Sequence, residues 1–94
     1  MRVEWHPLAR NDLAELVTYI ASDNPRAACR LHDEIRRQIG ILGKHPEAGR
    51  LGRVTGTREL VIAGTPYIAA YRVTMEGATI LRLLHGRRRW PRAL

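Results

Sequence analysis

The sequence lacks phenylalanine, a second cysteine and any long apolar run. A core without phenylalanine must be built from leucine, isoleucine, valine and alanine. Cys29, as the only cysteine, excludes an internal disulfide and a cysteine-based zinc site, and we expect its side chain to be buried. No stretch approaches the roughly 20 apolar residues of a membrane span, and the first residues lack the apolar run of a signal peptide. We therefore expect a cytoplasmic protein that binds no membrane.

Acidic residues are scarce in the second half of the chain. Residues 1–47 carry seven basic and seven acidic side chains, whereas residues 48–94 carry nine arginines against Glu59 and Glu76. The whole excess charge of +7 therefore lies in the second half. Charge concentrated in this way creates a positive field that attracts anionic partners. The length of 94 residues is typical of one small domain, which we expect to span residues 1–94.

Apolar spacing predicts two helices. A first set of residues has the spacing of one helical face between about residues 7 and 22: Ala9, Leu13, Leu16, Val17 and Ile20. A second set has the same spacing further along: Ala28, Leu31, Ile35, Ile39 and Leu42. Between them, Asn24 is suited to cap the second helix and Pro25 to occupy its first position. Gly43 or the pair His45-Pro46 is expected to end that helix, and the short join predicts an antiparallel helical hairpin.

Strand-like segments flank the helices. One is predicted at residues 3–5 and three more at residues 58–62, 67–74 and 78–85, after a glycine-rich loop at residues 46–57. The joins at residues 64–66 and 75–77 are short enough for hairpins. The order β-α-α-β-β-β predicts an α+β fold, in which an antiparallel sheet carries the N-terminal helical hairpin on one face.

The turn at residues 75–77 decides which arginines share a face of the sheet. A three-residue turn gives these cross-strand pairs: Thr74 with Ala78, Arg72 with Ile80, and Ala70 with Arg82. One face, expected to be open, then carries Ile68, Ala70, Arg72, Ile80, Arg82 and Leu84. The other face, more apolar and expected under the helices, carries Tyr67, Ala69, Tyr71, Val73, Leu81 and Leu83. A two-residue turn is the alternative, and it would move the side chains of a whole strand to the opposite face.

The C-terminal end offers candidate functional residues. Its arginines are accompanied by no acid: Arg82, Arg87, Arg88, Arg89 and Arg92. They are suited to binding nucleic-acid phosphates or an acidic protein segment, or to forming a solvated tail. Trp90 can stack on a base or anchor the chain end. His85, at the end of the last strand, can act as a general acid or base, or can be a hydrogen-bonded strand-end residue. The four histidines lack the spacing of metal ligands, so no metal or other cofactor is expected.

Several short segments follow one another along the chain. In the first half they are Trp5, the helix start with Ala9, Asp12 and Leu13, Tyr19-Ile20, Asn24-Pro25-Arg26-Ala27-Ala28 and Pro46-Glu47-Ala48-Gly49-Arg50. In the second half they are Gly56-Thr57-Arg58-Glu59-Leu60-Val61, residues 65–73 and residues 80–88. Together they resemble the RelE/ParE superfamily of toxins from bacterial type II toxin–antitoxin modules over nearly the whole chain. The resemblance implies the fold just described and a growth-inhibiting toxin.

The resemblance also implies partners. The expected partner is an acidic, partly disordered antitoxin with a DNA-binding part of the ribbon-helix-helix type or similar, which wraps the toxin and folds on binding. The superfamily has two mechanisms. RelE-like members cleave mRNA in the ribosomal A site without a metal, and ParE-like members act on DNA gyrase. The target is therefore expected to be DNA gyrase or the ribosome.

Three departures separate this chain from the RelE-like nucleases that it resembles. Those nucleases have a Tyr-Arg-x-x-Tyr segment on the middle strand of the hairpin sheet and lysines on the preceding strand. Here Ile68 replaces the arginine, in Tyr67-Ile68-Ala69-Ala70-Tyr71, and residues 58–62 contain no lysine. Arg88 matches a C-terminal catalytic arginine, but Trp90 stands nearest to where a tyrosine would follow. Each missing donor costs a nuclease orders of magnitude in rate. We therefore predict a ParE-like inhibitor of gyrase or replication that is not an enzyme.

The surface predicted to bind the target or the antitoxin consists of Arg58, Arg72, Arg82, Arg87, Arg88, Arg89 and Trp90. The alternative function is a ribosome-dependent, metal-independent mRNA endonuclease. Its catalytic residues would be Arg58, Arg72, Arg82, His85 and Arg88. A third alternative is a simple nucleic-acid-binding module, whose affinity would fall steeply with salt.

Overall fold

Two helices and five strands follow one another as β1, α1, α2, β2, β3, β4 and β5 in the computed structural model, which describes residues 2–94. The helices are α1 (Pro7–Ala21) and α2 (Pro25–Gly40), and a short 3-10 helix follows at Ile41–Gly43. The strands are β1 (Arg2–Trp5), β2 (Arg50–Leu51), β3 (Arg58–Val61), β4 (Tyr67–Thr74) and β5 (Gly77–His85). The predicted α+β class is confirmed. One strand is additional, because β2 lies inside the segment predicted to be a loop.

Asn24 determines where the second helix begins. Its Oδ1 accepts a hydrogen bond from the Ala27 N–H at 3.1 Å, and Pro25 occupies the first turn of α2. Both features were predicted from the sequence and are confirmed. Proline suits this position because the first amide of a helix has no partner within the helix. The α-helix ends at Gly40, three residues before the first of the two predicted ends, and a 3-10 helix continues to Gly43.

The first strand runs parallel to its neighbour. The sheet order is β1-β5-β4-β3-β2, and Arg2 to Trp5 pair with residues 77–80 of β5 in the same direction. The prediction of a wholly antiparallel sheet is therefore wrong for β1 and holds for the other four strands. Side chains alternate with the same period in both kinds of strand, so the sequence pattern could not distinguish them. Gly77 allows the close pairing: its φ is +144°, and a Cβ there would clash with the Arg2 carbonyl.

The β4–β5 hairpin contains two registers. Near the turn, the pairs lie one residue away from the prediction: Thr74 with Gly77, Val73 with Ala78, Arg72 with Thr79, and Tyr71 with Ile80. Farther from the turn, the pairs are Ala70 with Arg82, Ala69 with Leu83, Ile68 with Leu84 and Tyr67 with His85. The three-residue turn and the pairing of Arg72 with Ile80 are therefore wrong, whereas the pairing of Ala70 with Arg82 is confirmed.

A bulge at Leu81 reconciles the two registers. Leu81 has no partner between the pairs formed by Ile80 and Arg82. An extra residue in one strand changes the direction of the residues that follow it. As a result Ile80 and Leu83 both face the helices, although they are three residues apart, and they are 0% and 4% exposed. The predicted register would have placed Ile80 on the opposite face and Thr79 in the core, which explains why the bulge is favoured.

The core lies between the helical hairpin and one face of the sheet. Its buried residues are Ala9, Leu13, Ile35, Ile39, Leu42, Ile62, Ala69, Tyr71, Ala78, Ile80 and Leu83. Cys29 is exposed, so the prediction that it is buried is wrong. It follows Ala28 by one residue, which turns it about 100° away from the face that α2 buries. Within residues 2–94, no helix combines the length and apolarity needed to cross a membrane.

Candidate functional site

A carboxylate on α1 holds Arg82. Asp12 accepts hydrogen bonds from Arg82 Nε and Nη2 at 2.8 and 2.9 Å, and from the Leu83 N–H at 2.9 Å. The side chains of Arg82 and Asp12 are 24% and 10% exposed. Because β1 ends at Trp5, Asp12 provides the partner that a β-strand would otherwise give to this amide. The hydrogen bonds that Arg82 donates to Asp12 raise the pKa of its guanidinium above the ordinary value. Arg82 is therefore paired within the fold, with its guanidinium mostly shielded from solvent.

Arg58 and Tyr71 lie opposite each other on β3 and β4 and fasten the segment before β2. The Tyr71 hydroxyl donates to the Pro46 carbonyl at 2.7 Å and accepts the Gly49 N–H at 2.8 Å. Arg58 Nη1 donates to the Gly49 carbonyl at 2.8 Å. A Cβ at Gly49 would lie 2.6 Å from the Tyr71 hydroxyl oxygen, so only glycine fits there. Burial raises the pKa of Tyr71 above its ordinary value.

Glu59 is a buried carboxylate that forms ion pairs with two arginines. Its side chain is 2% exposed, and Arg50 Nη2 approaches Oε1 at 3.1 Å. Arg53 donates its backbone N–H to Oε2 at 2.8 Å and its Nε to the same oxygen at 3.0 Å. Burial acts to raise the pKa of Glu59, but the hydrogen bonds from Arg53 and Arg50 outweigh it and lower that pKa below 4.5. The Arg53 guanidinium carbon lies 3.8 Å from the centroid of the Trp90 ring, so this cluster reaches the C-terminal segment.

The C-terminal segment covers part of the sheet face that points away from the helices, which the sequence predicted to be open. Ile68, Ala70 and Leu84 lie on this face and are 6%, 0% and 3% exposed. Gly86 lies against Ile68. Farther along, the last residues line a groove of about 180 Å³ with β5 and the start of α1: His6, Leu8, Leu81, Arg82, Pro91, Ala93 and Leu94. The prediction that this face is open is therefore wrong for its apolar residues.

The three consecutive arginines follow β5 in an ordered turn. The Gly86 N–H donates to the Pro66 carbonyl at 2.8 Å, and the Arg88 N–H donates to the His85 carbonyl at 3.0 Å. The Arg87 N–H donates to His85 Nδ1 at 3.1 Å. The side chains of residues 87–89 are all exposed. Within residues 2–94 no carboxylate forms an ion pair with any of the three.

A hollow beside β5 brings His85 and Arg88 together. The rings of Tyr67 and His85 meet edge to face, with centroids 5.5 Å apart. The hollow has a volume of about 350 Å³ and is lined by Asp12, Glu15, Leu16, Tyr19, Tyr67, Leu83, His85 and Arg88. It therefore contains two members of the catalytic set predicted for a nuclease. A third member, Arg82, reaches its edge only through Asp12, with which it is paired.

The other two members of that set lie elsewhere. Arg72 is exposed and pairs with Thr79, six residues before His85 on β5. At about 3.3 Å per residue this separation is roughly 20 Å. Arg58 is on β3 and donates to a loop carbonyl. The five residues therefore do not surround one point at which a phosphate could react.

Two carboxylates that organise this region were missed by the sequence analysis. Asp12 is a charged residue of the kind usually found on the solvent-facing side of a helix, but its spacing from Ala9 and Leu16 places it beside the apolar face of α1. That spacing was the available signal. Glu59 offered none, because its partners Arg50 and Arg53 lie in β2 and just after it, within a glycine-rich segment whose conformation no periodicity predicts. Trp90, for which two roles were open, anchors the chain end: its Nε1–H donates to the His85 carbonyl at 3.3 Å.

The chain matches a family model over residues 3–90, and the family is described as the ParE toxin of the type II toxin–antitoxin system parDE. A Sinorhizobium fredii protein named "Putative toxin Y4kP" is 39% identical over 93 residues, which are 99% of this chain and 96% of that protein. Toxin RelE1 of Caulobacter vibrioides is 27% identical over 79 residues, covering 83% and 85% of the two chains.

A solved structure has the same fold. It is described as the chromosomal ParDE TA system from P. aeruginosa, and the superposition gives a TM-score of 0.82 at 27% identity. The match covers 90% of this chain and 95% of the other. Sequence and structure comparisons therefore point to the same family.

Proposed function

Because the chain belongs to the ParE toxin family of type II toxin–antitoxin systems, we propose that it arrests growth by binding DNA gyrase and that a cognate antitoxin neutralises it. In this proposal the protein is an inhibitor that acts by binding and carries out no reaction of its own. The observation that carries the proposal is the dispersal of the arginines that a nuclease would need to bring together.

A nuclease stabilises the charge of its transition state with donors about 3 Å from the reacting phosphate. In this chain Arg82 is paired with Asp12 at 2.8 Å, and Arg58 donates to the Gly49 carbonyl. Both groups are occupied within the fold, and Ile68 stands where the resembling nucleases carry an arginine. These features favour inhibition by binding over RNA cleavage.

The exposed arginines supply a surface for an acidic partner. Residues 87–89 have no acidic neighbour within the ion-pair distance among the described residues. Uncompensated positive charge of this kind speeds the encounter with a negatively charged surface and selects partners by sign. Gyrase and an acidic antitoxin, with a ribbon-helix-helix or similar DNA-binding part, would compete for this surface. The likeness to a ParDE toxin–antitoxin structure supports the antitoxin as a partner.

A supercoiling assay with purified gyrase and relaxed plasmid tests the proposal. We expect the protein to inhibit supercoiling, to leave ribosome-bound mRNA intact, and to lose its effect when the product of the adjacent antitoxin gene is added. Inhibition that is absent at concentrations sufficient to arrest growth on expression would overturn gyrase as the target. A gene neighbour with neither an acidic tail nor neutralising activity would overturn the antitoxin.

The hollow that contains His85 and Arg88 motivates one second candidate, a ribosome-dependent mRNA endonuclease. A histidine can transfer protons and an arginine can stabilise phosphate charge within the same hollow. This candidate predicts cleavage in the ribosomal A site, mapped by primer extension on translating ribosomes. It further predicts that His85→Ala abolishes cleavage and growth arrest while the protein remains folded. Growth arrest that survives His85→Ala would exclude it.

A further inference from the structure

Two fixed points enclose the three exposed arginines at residues 87–89. On the near side, the Gly86 N–H donates to the Pro66 carbonyl at 2.8 Å and the Arg88 N–H to the His85 carbonyl at 3.0 Å. On the far side stands Trp90, which is half-buried. A chain segment held at both ends has fewer conformations than a tail held at one end. The arginines are therefore presented as an arch, a name used below for residues 87–89.

Trp90 is fixed by contacts that lead to the interior of the protein. Its ring lies 3.8 Å from the Arg53 guanidinium carbon, and its Nε1–H donates to the His85 carbonyl at 3.3 Å. Arg53 is itself held by Glu59, through its Nε at 3.0 Å and its backbone N–H at 2.8 Å. Since the Glu59 side chain is only 2% exposed, the far end of the arch is connected to a buried carboxylate.

We propose that Arg53 is a positioning residue for the arch. Arg53 and Trp90 together form a clasp, and the closed clasp holds the backbone of residues 87–89 in one arrangement before a partner arrives. A partner with an acidic surface then meets three arginines whose backbone needs no further ordering, which lowers the entropic cost of binding. The target in this inference is the one in the proposed function, whereas the clasp itself does not depend on that target.

Backbone dynamics test the clasp directly. We expect ¹⁵N order parameters of Arg88 and Arg89 near 0.85 in the unaltered protein and below about 0.6 in Arg53→Leu, the values typical of rigid and flexible backbone. Arg50→Leu is the matched control, because Arg50 binds the same carboxylate at 3.1 Å whereas the guanidinium over the Trp90 ring belongs to Arg53. Trp90→Leu opens the clasp without depriving Glu59 of a donor. Flexible residues 88 and 89 in the unaltered protein, or unchanged order in both clasp variants, would overturn the proposal.

Inhibition measurements test the consequence. The concentration for half-maximal inhibition of supercoiling should rise about tenfold in Arg53→Leu and Trp90→Leu, although neither variant removes an arginine of the arch. Arg53→Lys keeps a cation over the Trp90 ring and should restore inhibition to within about twofold. Variants that lose backbone order and keep full inhibition would refute the positioning role. If the unaltered protein does not inhibit gyrase, the proposed function fails, and the same variants are compared by growth arrest on expression.

Discussion

Asp12 holds the Arg82 guanidinium and the Leu83 amide at the same time, with three hydrogen bonds between 2.8 and 2.9 Å. This contact joins α1 to the part of β5 that lies beyond β1. It also shows that Arg82 is paired within the fold, whereas the charge pattern alone would assign this residue to a binding surface. An arginine that is paired within the fold affects function first through stability, so any functional test of Arg82 needs its partner as a control.

The Asp12–Arg82 pair is expected to contribute measurably to stability. Asp12→Ala should lower the free energy of unfolding by about 3 kcal/mol, because it leaves a partly buried guanidinium and an amide without their acceptor. Arg82→Ala should cost less, about 1–2 kcal/mol, since Asp12 keeps the Leu83 amide. Urea denaturation of both variants and of the double variant should give a coupling energy of about 1–3 kcal/mol. Additive effects within about 0.5 kcal/mol would show that the pair does not act as a unit.

The Tyr71 hydroxyl is expected to stabilise the segment before β2. Tyr71→Phe removes one donor and one acceptor and leaves the Pro46 carbonyl and the Gly49 amide without this partner. The expected loss is about 2 kcal/mol, measured by urea denaturation. Tyr19→Phe is the matched control because Tyr19 is 80% exposed, and it should change stability by less than about 0.5 kcal/mol. Equal stability of the two variants would contradict the bridging role.

The fold class is predictable from the sequence because its local signals agree with one another. The Asn24-Pro25 pair marks both the break and the helix start, and the apolar residues of the two helices keep one spacing over several turns. The parallel direction of β1 cannot be predicted in this way, because it depends on which edge of the β3–β4–β5 sheet is free to pair with β1. The bulge at Leu81 cannot be predicted from local signals either, since it is stabilised by the burial of both Ile80 and Leu83 against the helices.

The candidate site was less predictable than the fold. Charge counting identified the arginines but not their partners, because two carboxylates decide which arginines remain available. Asp12 forms an ion pair with Arg82, and Glu59 forms ion pairs with Arg50 and Arg53. These contacts join segments separated by up to 70 positions, and no local pattern encodes them. Of the predicted binding residues, Arg72 and the arginines at 87–89 are exposed and form no ion pair among residues 2–94.

Stability is expected to fall in acid through Glu59. Its pKa in the folded protein lies below the ordinary value of 4.5, so the ionised form is favoured by folding. The stabilisation it gives is present above pH 4.5 and is lost as the pH falls through the lower, folded pKa. Free energies of unfolding measured between pH 7 and pH 3 should decline less steeply in Glu59→Gln than in the unaltered protein. Parallel pH profiles for the two proteins would contradict this assignment.

Charge reversal in the arch should separate binding from folding. Arg88→Glu changes the net charge by −2 at an exposed side chain with no acidic partner among residues 2–94. We expect the melting temperature to stay within about 2 °C, since exposed substitutions cost little. The concentration for half-maximal gyrase inhibition should rise about tenfold or more, because like charges then face each other at the interface.

Arg30→Glu is the matched control: it makes the same charge change at an exposed position of α2, in the half of the chain that has no net charge. If both variants lose inhibition equally, net charge alone determines the activity and the position of residues 87–89 does not matter. Full inhibition by Arg88→Glu would remove Arg88 from the binding surface.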